Sequence, residues 1–182
     1  MKIRRVAFNT YLLAATLLLG CKSPQEKIDS ADASKQKKEL STIRLHLETS
    51  GETASRANTV PILRASPILV NVEVDSFLDE RDVTHAALIK QLGGFAIQVQ
   101  FNDHGVFILD ALSSSSRGKR VAIMSDFGEK RWLAAPVFSR RITNGVLVFT
   151  PDATHTEATR IVRGLNNVAE KIKKQDPFSP KW

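Results

Sequence analysis

Four histidines have the broadest chemistry in this chain, because an imidazole binds metals and transfers protons near neutral pH. They are His46, His85, His104 and His155. No two of them stand four residues apart, and none lies near a cysteine or within a compact metal-ligand motif. A metal site is the alternative; we interpret the four as solvated or helix-capping residues and predict no metal and no cofactor.

Serines and carboxylates form two further groupings of catalytic residue types. Four serines run from Ser113 to Ser116, but no G-x-S-x-G nucleophile elbow surrounds them. Asp103 and Asp110 would supply a carboxylate pair, yet they stand seven residues apart on one predicted helix. We interpret the serines as a loop or helix end and the aspartates as a cap and a surface charge. An enzyme is therefore the least favoured class.

A basic cluster over residues 117–141 is a candidate binding surface. It carries seven positive side chains against Asp126 and Glu129, a net charge of +5. Such a surface suits anionic phospholipid, lipopolysaccharide or an acidic polymer, and the alternative is a solvated rim of strand ends. The candidate binding residues are Arg117, Lys119, Arg120, Lys130, Arg131, Trp132, Arg140 and Arg141.

The N-terminal segment has the pattern of an export signal. Lys2, Arg4 and Arg5 precede an apolar run that is most strongly apolar over residues 11–19. The run is too short for a transmembrane helix, which needs about 20 apolar residues, and it has the length of a secretory signal. The single cysteine of the chain, Cys21, stands where the run stops. A cysteine thiolate is a good nucleophile for alkylation.

The sequence L-L-G-C that ends at Cys21 resembles the lipobox of bacterial lipoproteins. In that family the cysteine thiol receives a diacylglycerol, the signal is cut before it, and the new amine is acylated. The resemblance implies a signal peptide over 1–20 and a lipidated Cys21. Because Lys22 rather than Asp follows, it also implies the outer membrane of a two-membrane cell, facing the periplasm. The alternative is an ordinary signal peptide or a buried cysteine.

Composition divides the rest of the chain into a tether, a domain and a tail. Residues 21–41 are polar and mixed in charge, which predicts a flexible tether behind the lipidated cysteine. Residues 42–174 have the apolar periodicity of one domain, and residues 175–182 form a tail. Without the three basic residues of the signal, 23 basic and 19 acidic residues leave a net charge of +4. That charge lies mostly toward the ends, so we predict no nucleic-acid partner.

Alternating apolar and polar residues predict half-buried strands, most clearly over 42–48 and 95–101. Shorter extended segments are predicted at 60–63, 68–72, 121–124, 132–135 and 146–149.

The polar side of these strands is a second candidate surface. Arg44, His46, Gln98 and Gln100 are expected to lie on a solvated sheet face, and a sheet edge would accept an extended peptide by strand addition. Simple solvent exposure is the alternative.

Helix caps predict three helices. Asp79 would cap one that ends near Gln91, and Asn102 or Asp103 would begin another. A T-x-x-E capping box at Thr154 begins the longest. Helices covering one face of a mainly antiparallel sheet make an α+β two-layer sandwich. The split βαβ order after residue 94 makes this sandwich ferredoxin-like.

Three stretches between residues 94 and 165 carry an ordered set of turns, caps and core residues. They are GFAIQVQFNDHGVFILDAL, RGKRVAIMSDF and WLAAPVFSRRITNGVLVFTPDATHTEATRIVRGL. Their order resembles the first periplasmic (P1) head domain of the SecD translocase subunit. The matching residues are Gly118, Ala122, Ile123, Ala135, Pro136, Ile142, Gly145, Thr154, Glu157 and Ala158.

This resemblance implies a head fold and an affinity for extended polypeptide. SecD proteins also have membrane helices that couple proton flow to protein export, and we expect none after the signal here, so neither a motor nor an enzyme is implied. We predict a lipid-anchored cell-envelope protein with a non-catalytic binding or scaffold module, whose partner is an exported polypeptide or an envelope complex. The alternative is a structural module that contacts anionic lipid or glycan through the basic cluster.

Overall fold

Short antiparallel strands make up most of the fold in this computed structural model, which describes residues 35–36, 38–50 and 57–175. In chain order the strands are β1 (Thr42–Leu47), β2 (Ala57–Ile62), β3 (Ile68–Glu73), β4 (Leu78–Asp79), β5 (Val83–Gln91), β6 (Gly94–Phe101), β7 (Val121–Asp126), β8 (Lys130–Ala134) and β9 (Val146–Phe149). The helices are α1 (Asp103–Ser115) and α2 (His155–Gln175), and a 3-10 helix spans Glu80–Asp82. Within these residues, neither α-helix is long and apolar enough to cross a membrane.

The strands pair in three sheets. The largest has the order β4-β1-β7-β8, a second is the hairpin β2–β3, and the third has the order β5-β6-β9. Every strand pairing is antiparallel. The predicted α+β class with mainly antiparallel pairing is confirmed, and the strands are distributed over three sheets.

The main core lies between the two larger sheets and both helices. It includes Ile43 and Leu45 of β1, Ile97 of β6, and Ile161 and Leu165 of α2. All five side chains are almost fully removed from water. The apolar stripe of α2 therefore covers the sheets as its periodicity predicts.

A second, smaller core lies on the outer face of the four-stranded sheet. Val60, Ile62, Val70 and Val72 of the β2–β3 hairpin pack there against Ala122, with Trp132 half-buried beside them. The four-stranded sheet is therefore covered on both faces. Its outer side is not the solvated face that strand alternation predicts, because a hairpin from the same chain lies on it.

The helix predicted from Asp79 to Gln91 is wrong. Asp79 does cap a helical turn, accepting a hydrogen bond from the Arg81 N–H at 2.9 Å, but that 3-10 helix ends at Asp82. The chain then continues as β5, which pairs with β6 along its length. Cross-strand pairing with a long neighbour outweighs the weak helical preference of this segment.

The other helix predictions are confirmed. Asn102 caps α1, and its side-chain oxygen accepts from the Gly105 N–H at 2.9 Å. The capping box of α2 is formed: the Thr154 N–H donates to Glu157 Oε2 at 2.7 Å, and the Glu157 N–H donates to Thr154 Oγ1 at 3.2 Å. Gly164 allows a close approach of the chain before β1, because a Cβ there would lie 2.6 Å from the Ser41 nitrogen.

Candidate functional site

A groove of about 480 Å³ lies beside strand β9. One wall is the strand itself, through Val146, Leu147 and Val148, and the other is the segment 136–144, which connects β8 to β9. Val121 at the start of β7 also lines it. The groove is therefore a cleft between a strand edge and a connecting segment, where an extended chain would fit.

The connecting segment is held on one side by the chain before β7. The Val121 N–H donates to Pro136 O at 2.8 Å, the Phe138 N–H to Lys119 O at 2.9 Å, and the Gly118 N–H to Phe138 O at 3.0 Å. These bonds continue the β7–β8 ladder past the end of β8. Phe138 is buried in the main core, which holds this wall in place.

Helix α1 holds the other end of the segment. The Ile142 N–H donates to Ser113 Oγ at 2.8 Å, and the Arg141 guanidinium pairs with both carboxylate oxygens of Asp110. This guanidinium holds the pKa of Asp110 below its usual range. Backbone and side-chain contacts at both ends therefore preform the groove.

Strand β9 has an open edge. Among the strands of the described residues it pairs only with β6, and it is the last strand of its sheet. The Phe101 N–H donates to Gly145 O at 3.0 Å, so the alternation of an antiparallel ladder turns the backbone of Leu147 toward β6 and that of Val146 and Val148 away from it. The Val146 N–H is already bonded to Asn144 Oδ1 at 3.1 Å. Val148 therefore presents both backbone groups to a partner strand.

The groove combines apolar and basic side chains. Val137 and Val148 are exposed at its mouth, with 44% and 37% of their surface accessible. Arg140 is exposed too, and within the described residues it makes no hydrogen bond or ion pair. Apolar side chains beside an open backbone edge and a free positive charge suit an extended peptide with acidic residues.

Arg131 of the basic cluster lies in a different place. Its side chain is only 8% exposed. It donates to Glu157 at 2.9 Å, to Glu129 at 2.5 Å and to the Asp152 carbonyl at 3.2 Å, and it lies over the Phe127 ring. Arg131 lowers the pKa of Glu157 to about 2. The side chain therefore links β8 to the start of α2 and is not open to a ligand.

The remaining cluster residues are split between structural contacts and solvent. Trp132 packs in the second core, and Arg120 reaches the Ala135 carbonyl at 3.5 Å. Arg117 donates to the Ser139 carbonyl at 3.3 Å. Lys119 and Lys130 are exposed and, like Arg140, form no ion pair within the described part of the chain. The eight candidates thus do not share one surface.

His46 is the one histidine of the four that is buried. Its Nδ1 lies 2.9 Å from the Glu73 carbonyl oxygen, so this nitrogen carries the proton, and its ring meets Trp132 edge-on at 5.2 Å. Burial lowers the pKa of His46. Arg44 is exposed on the same strand, whereas Gln98 and Gln100 lie in another sheet. The predicted polar face is therefore not a continuous surface.

The other candidate catalytic residues either lie away from the groove or make structural contacts. His104 pairs with Asp82 at 2.8 Å, His155 meets the Phe95 ring edge-on, and His85 is exposed. Ser114 and Ser115 bond back to carbonyl groups of α1. Among residues 38–50 and 57–175, no three His, Cys, Asp or Glu side chains are grouped as metal ligands. Cys21, the signal segment and residues 176–182 lie outside the described residues.

The groove itself was missed by motif analysis. Its wall carries Pro136 and Asn144-Gly145, residue types that interrupt strands and form turns and that belong to no binding motif. The sequence signal for an open edge was the shortness of β9, which lies between the Asn144-Gly145 turn and Pro151.

The fold is similar to that of SecDF. A crystal structure of SecDF in the super-membrane-facing form matches with a TM-score of 0.54 at 18% identity, covering 78% of this chain and 21% of that one. A structure of the membrane component SecDF that enhances protein export matches with a TM-score of 0.53 at 20% identity, covering 83% and 71%. The chain thus spans about a fifth of the first SecDF chain. No protein-family model and no curated protein sequence matches it.

Both structural matches cover more of the chain than the segment 94–165 that carries the resemblance in sequence. The predicted SecD-like fold is confirmed. At these identities the similarity concerns the fold alone.

Proposed function

We propose that this protein is a non-catalytic binding module that accepts an extended polypeptide in the groove beside β9. The single observation that carries the proposal is the open β9 edge facing a preformed groove. A ligand strand would pair with the backbone of Val148, and Val137 and Val148 would contact its apolar side chains. The natural ligand in this proposal is an exported polypeptide or an exposed segment of an envelope protein.

Arg140 adds a preference for acidic residues. Its charge is not neutralised by a described side chain, whereas the neighbouring Arg141 is paired with Asp110. A ligand carboxylate beside Arg140 would gain a charge-assisted hydrogen bond. One of the two similar structures is of SecDF, a membrane component that enhances protein export, which supports a polypeptide ligand.

The proposal includes attachment to a membrane. An export signal over residues 1–20 and lipidation of Cys21 would place the groove in the cell envelope, at the outer membrane in a two-membrane cell. Metabolic labelling with a palmitate analogue tests this, because Cys21→Ser removes the only thiol of the chain. A Cys21→Ser variant that is still labelled would contradict the anchor.

Strand addition is tested with an unfolded acidic polypeptide, reduced and carboxymethylated α-lactalbumin carrying a fluorophore. We expect a dissociation constant in the micromolar range, about −8 kcal/mol, by fluorescence anisotropy. Val148→Pro removes the outward N–H without touching the β6 ladder, since that N–H faces the open edge. We expect at least about tenfold weaker binding, which corresponds to about 1.4 kcal/mol.

Val148→Thr is the matched control, because it changes the side chain and keeps the backbone donor. It should bind within about twofold of the natural chain, and both variants should have the natural far-UV circular dichroism spectrum. Equal binding by the proline variant would exclude backbone pairing at β9.

The second candidate function is contact with anionic lipid or glycan through the basic cluster. The exposed, unpaired Lys119, Lys130 and Arg140 favour it. Binding to lipopolysaccharide that is lost in Lys119→Glu with Arg140→Glu, while the α-lactalbumin probe shows no binding to the natural chain, would favour this candidate over the peptide groove.

A further inference from the structure

Helix α2 holds the chain where it enters the domain. Asn167 Nδ2 donates to the carbonyl oxygens of Gln36 at 2.9 Å and Glu39 at 2.8 Å. The Glu39 carboxylate pairs with Arg163 at 2.9 Å and lies 4.0 Å from Arg160. Ser41 then packs on Gly164. Gln36 and residues 39–41, which composition assigns to the tether, are thus fixed along the middle of α2.

This contact brings basic residues of the entering segment close to basic residues of α2. Lys171 and Lys174 follow Asn167 by four and seven residues, so they lie on the same side of α2 as the entering chain. Lys35 and Lys38 flank Gln36 on the entering segment. We define this entry surface by six basic residues and two acids: Lys35, Lys38, Arg160, Arg163, Lys171, Lys174, Glu39 and Glu170. Its net charge is +4.

Most of this charge is open to solvent. Lys35, Lys38 and Lys171 are exposed and form no ion pair within the described residues. The pair between Lys174 and Glu170 spans 3.7 Å with side chains 77% and 72% exposed, so an anionic partner can replace it at little cost. Arg163 and Arg160 are engaged with Glu39.

We propose that the entry surface lies against a membrane containing anionic phospholipid. This inference rests on the proposed anchor: Cys21 is 14 residues before Lys35, which limits their separation to about 50 Å even when the chain is extended. Each Lys or Arg near an anionic leaflet contributes about 1 kcal/mol, and acyl chains plus a basic patch make two membrane signals.

The proposed contact orients the groove. Helix α2 packs on β5, and β9 is at the opposite edge of the same three-stranded sheet. A domain that rests on its entry surface therefore turns the open β9 edge away from α2 and the lipid. The groove stays accessible to a polypeptide, and the basic cluster residues beside it do not contact the membrane.

Lysine acetylation in reconstituted vesicles tests this orientation. The full lipidated chain is placed in vesicles of phosphatidylethanolamine with phosphatidylglycerol, and a membrane-impermeant acetylating reagent is followed by peptide mass spectrometry. Lys119, exposed on the chain before β7, is the internal reference. We expect Lys35, Lys38 and Lys171 to react at least about threefold more slowly, relative to this reference, than in phosphatidylcholine vesicles.

Charge reversal supplies the matched variants. Lys171→Glu with Lys174→Glu should restore fast acetylation of Lys35 and Lys38, and Arg117→Glu with Arg140→Glu should leave it slow. Equal rates in the two kinds of vesicle overturn the inference even when the chain floats with the vesicles and the anchor is sound. A chain that does not float with them overturns both the anchor and the inference.

Discussion

Two adjacent pairs of residues in the basic cluster have different surroundings in the fold. At β8, Arg131 and Trp132 are built into the interior: Arg131 joins Glu129, Glu157 and the Asp152 carbonyl, and Trp132 packs under the β2–β3 hairpin. Nine residues later, Arg140 and Arg141 border the groove and are exposed. The first pair stabilises the fold, and in the second pair Arg140 has a charge without a partner among the described residues, whereas Arg141 pairs with Asp110.

This difference shows what a run of charges in a sequence establishes. Arg131 and Trp132 are adjacent, and strand alternation sends their side chains to opposite faces of β8. The surroundings of each face then decide the role: the N-terminus of α2 brings Glu157 to Arg131, and the hairpin covers Trp132. The sequence therefore gives the number of charges in a segment. The groups that face each side chain in the folded chain decide whether its charge is free.

Replacing Arg131 gives the largest expected effect on stability. Arg131→Met leaves Glu157 without its main partner, so we expect the free energy of unfolding to fall by about 3 kcal/mol in urea titrations. Arg140→Met, the matched change at the groove, should stay within about 0.5 kcal/mol of the natural chain. Equal losses in the two variants would contradict the division between interior and groove.

Replacing Trp132 tests how much packing, instead of charge, contributes to stability at β8. Trp132→Ala removes a half-buried ring from the second core and from His46, and we expect a loss of about 2 kcal/mol. Val137→Ala, at the mouth of the groove, is the control and should cost less than about 1 kcal/mol. Thermal unfolding followed by far-UV circular dichroism measures both; a larger loss at Val137 would reverse the assignment.

Acid titration tests the same Arg131–Glu157 pair through its protonation. The pKa of Glu157 is lowered from 4.5 to about 2 by Arg131, so the unfolded chain binds the proton more readily than the folded one. The stabilisation is complete above pH 4.5 and is lost as the pH falls toward 2.

Urea titrations between these pH values measure this dependence. Glu157→Gln should remove part of it, and Glu170→Gln, on the exposed side of α2, should leave it unchanged. An identical pH profile for Glu157→Gln and the natural chain would show that the Arg131 pair contributes nothing to stability.

Local patterns were enough to predict several elements. Asn102 and the Thr154–Glu157 box mark the starts of both α-helices, because a cap is a contact between residues three apart in sequence. The strict alternation of Phe95 to Phe101 predicts β6 and its buried face. The antiparallel α+β class follows from such elements in order.

Long-range contacts decided what local patterns left open. Residues 83–91 become β5 because β6 pairs with them, and His46 is buried because the β2–β3 hairpin covers it. Neither partner lies within the few residues that set local propensity. The groove has the same origin, since its walls depend on Ser113, Asp110 and the chain before β7.

The amino-acid sequence alone determined the helix caps, the alternation of the long strand, the charge distribution and the resemblance to the SecD head, because each is a property of neighbouring residues. Tertiary structure alone decided which charges are neutralised, which sheet edge is open and which surface receives the entering chain. These depend on groups up to 131 residues apart, as in the bond from Asn167 to Gln36. Only the packed chain brings such groups within hydrogen-bonding distance.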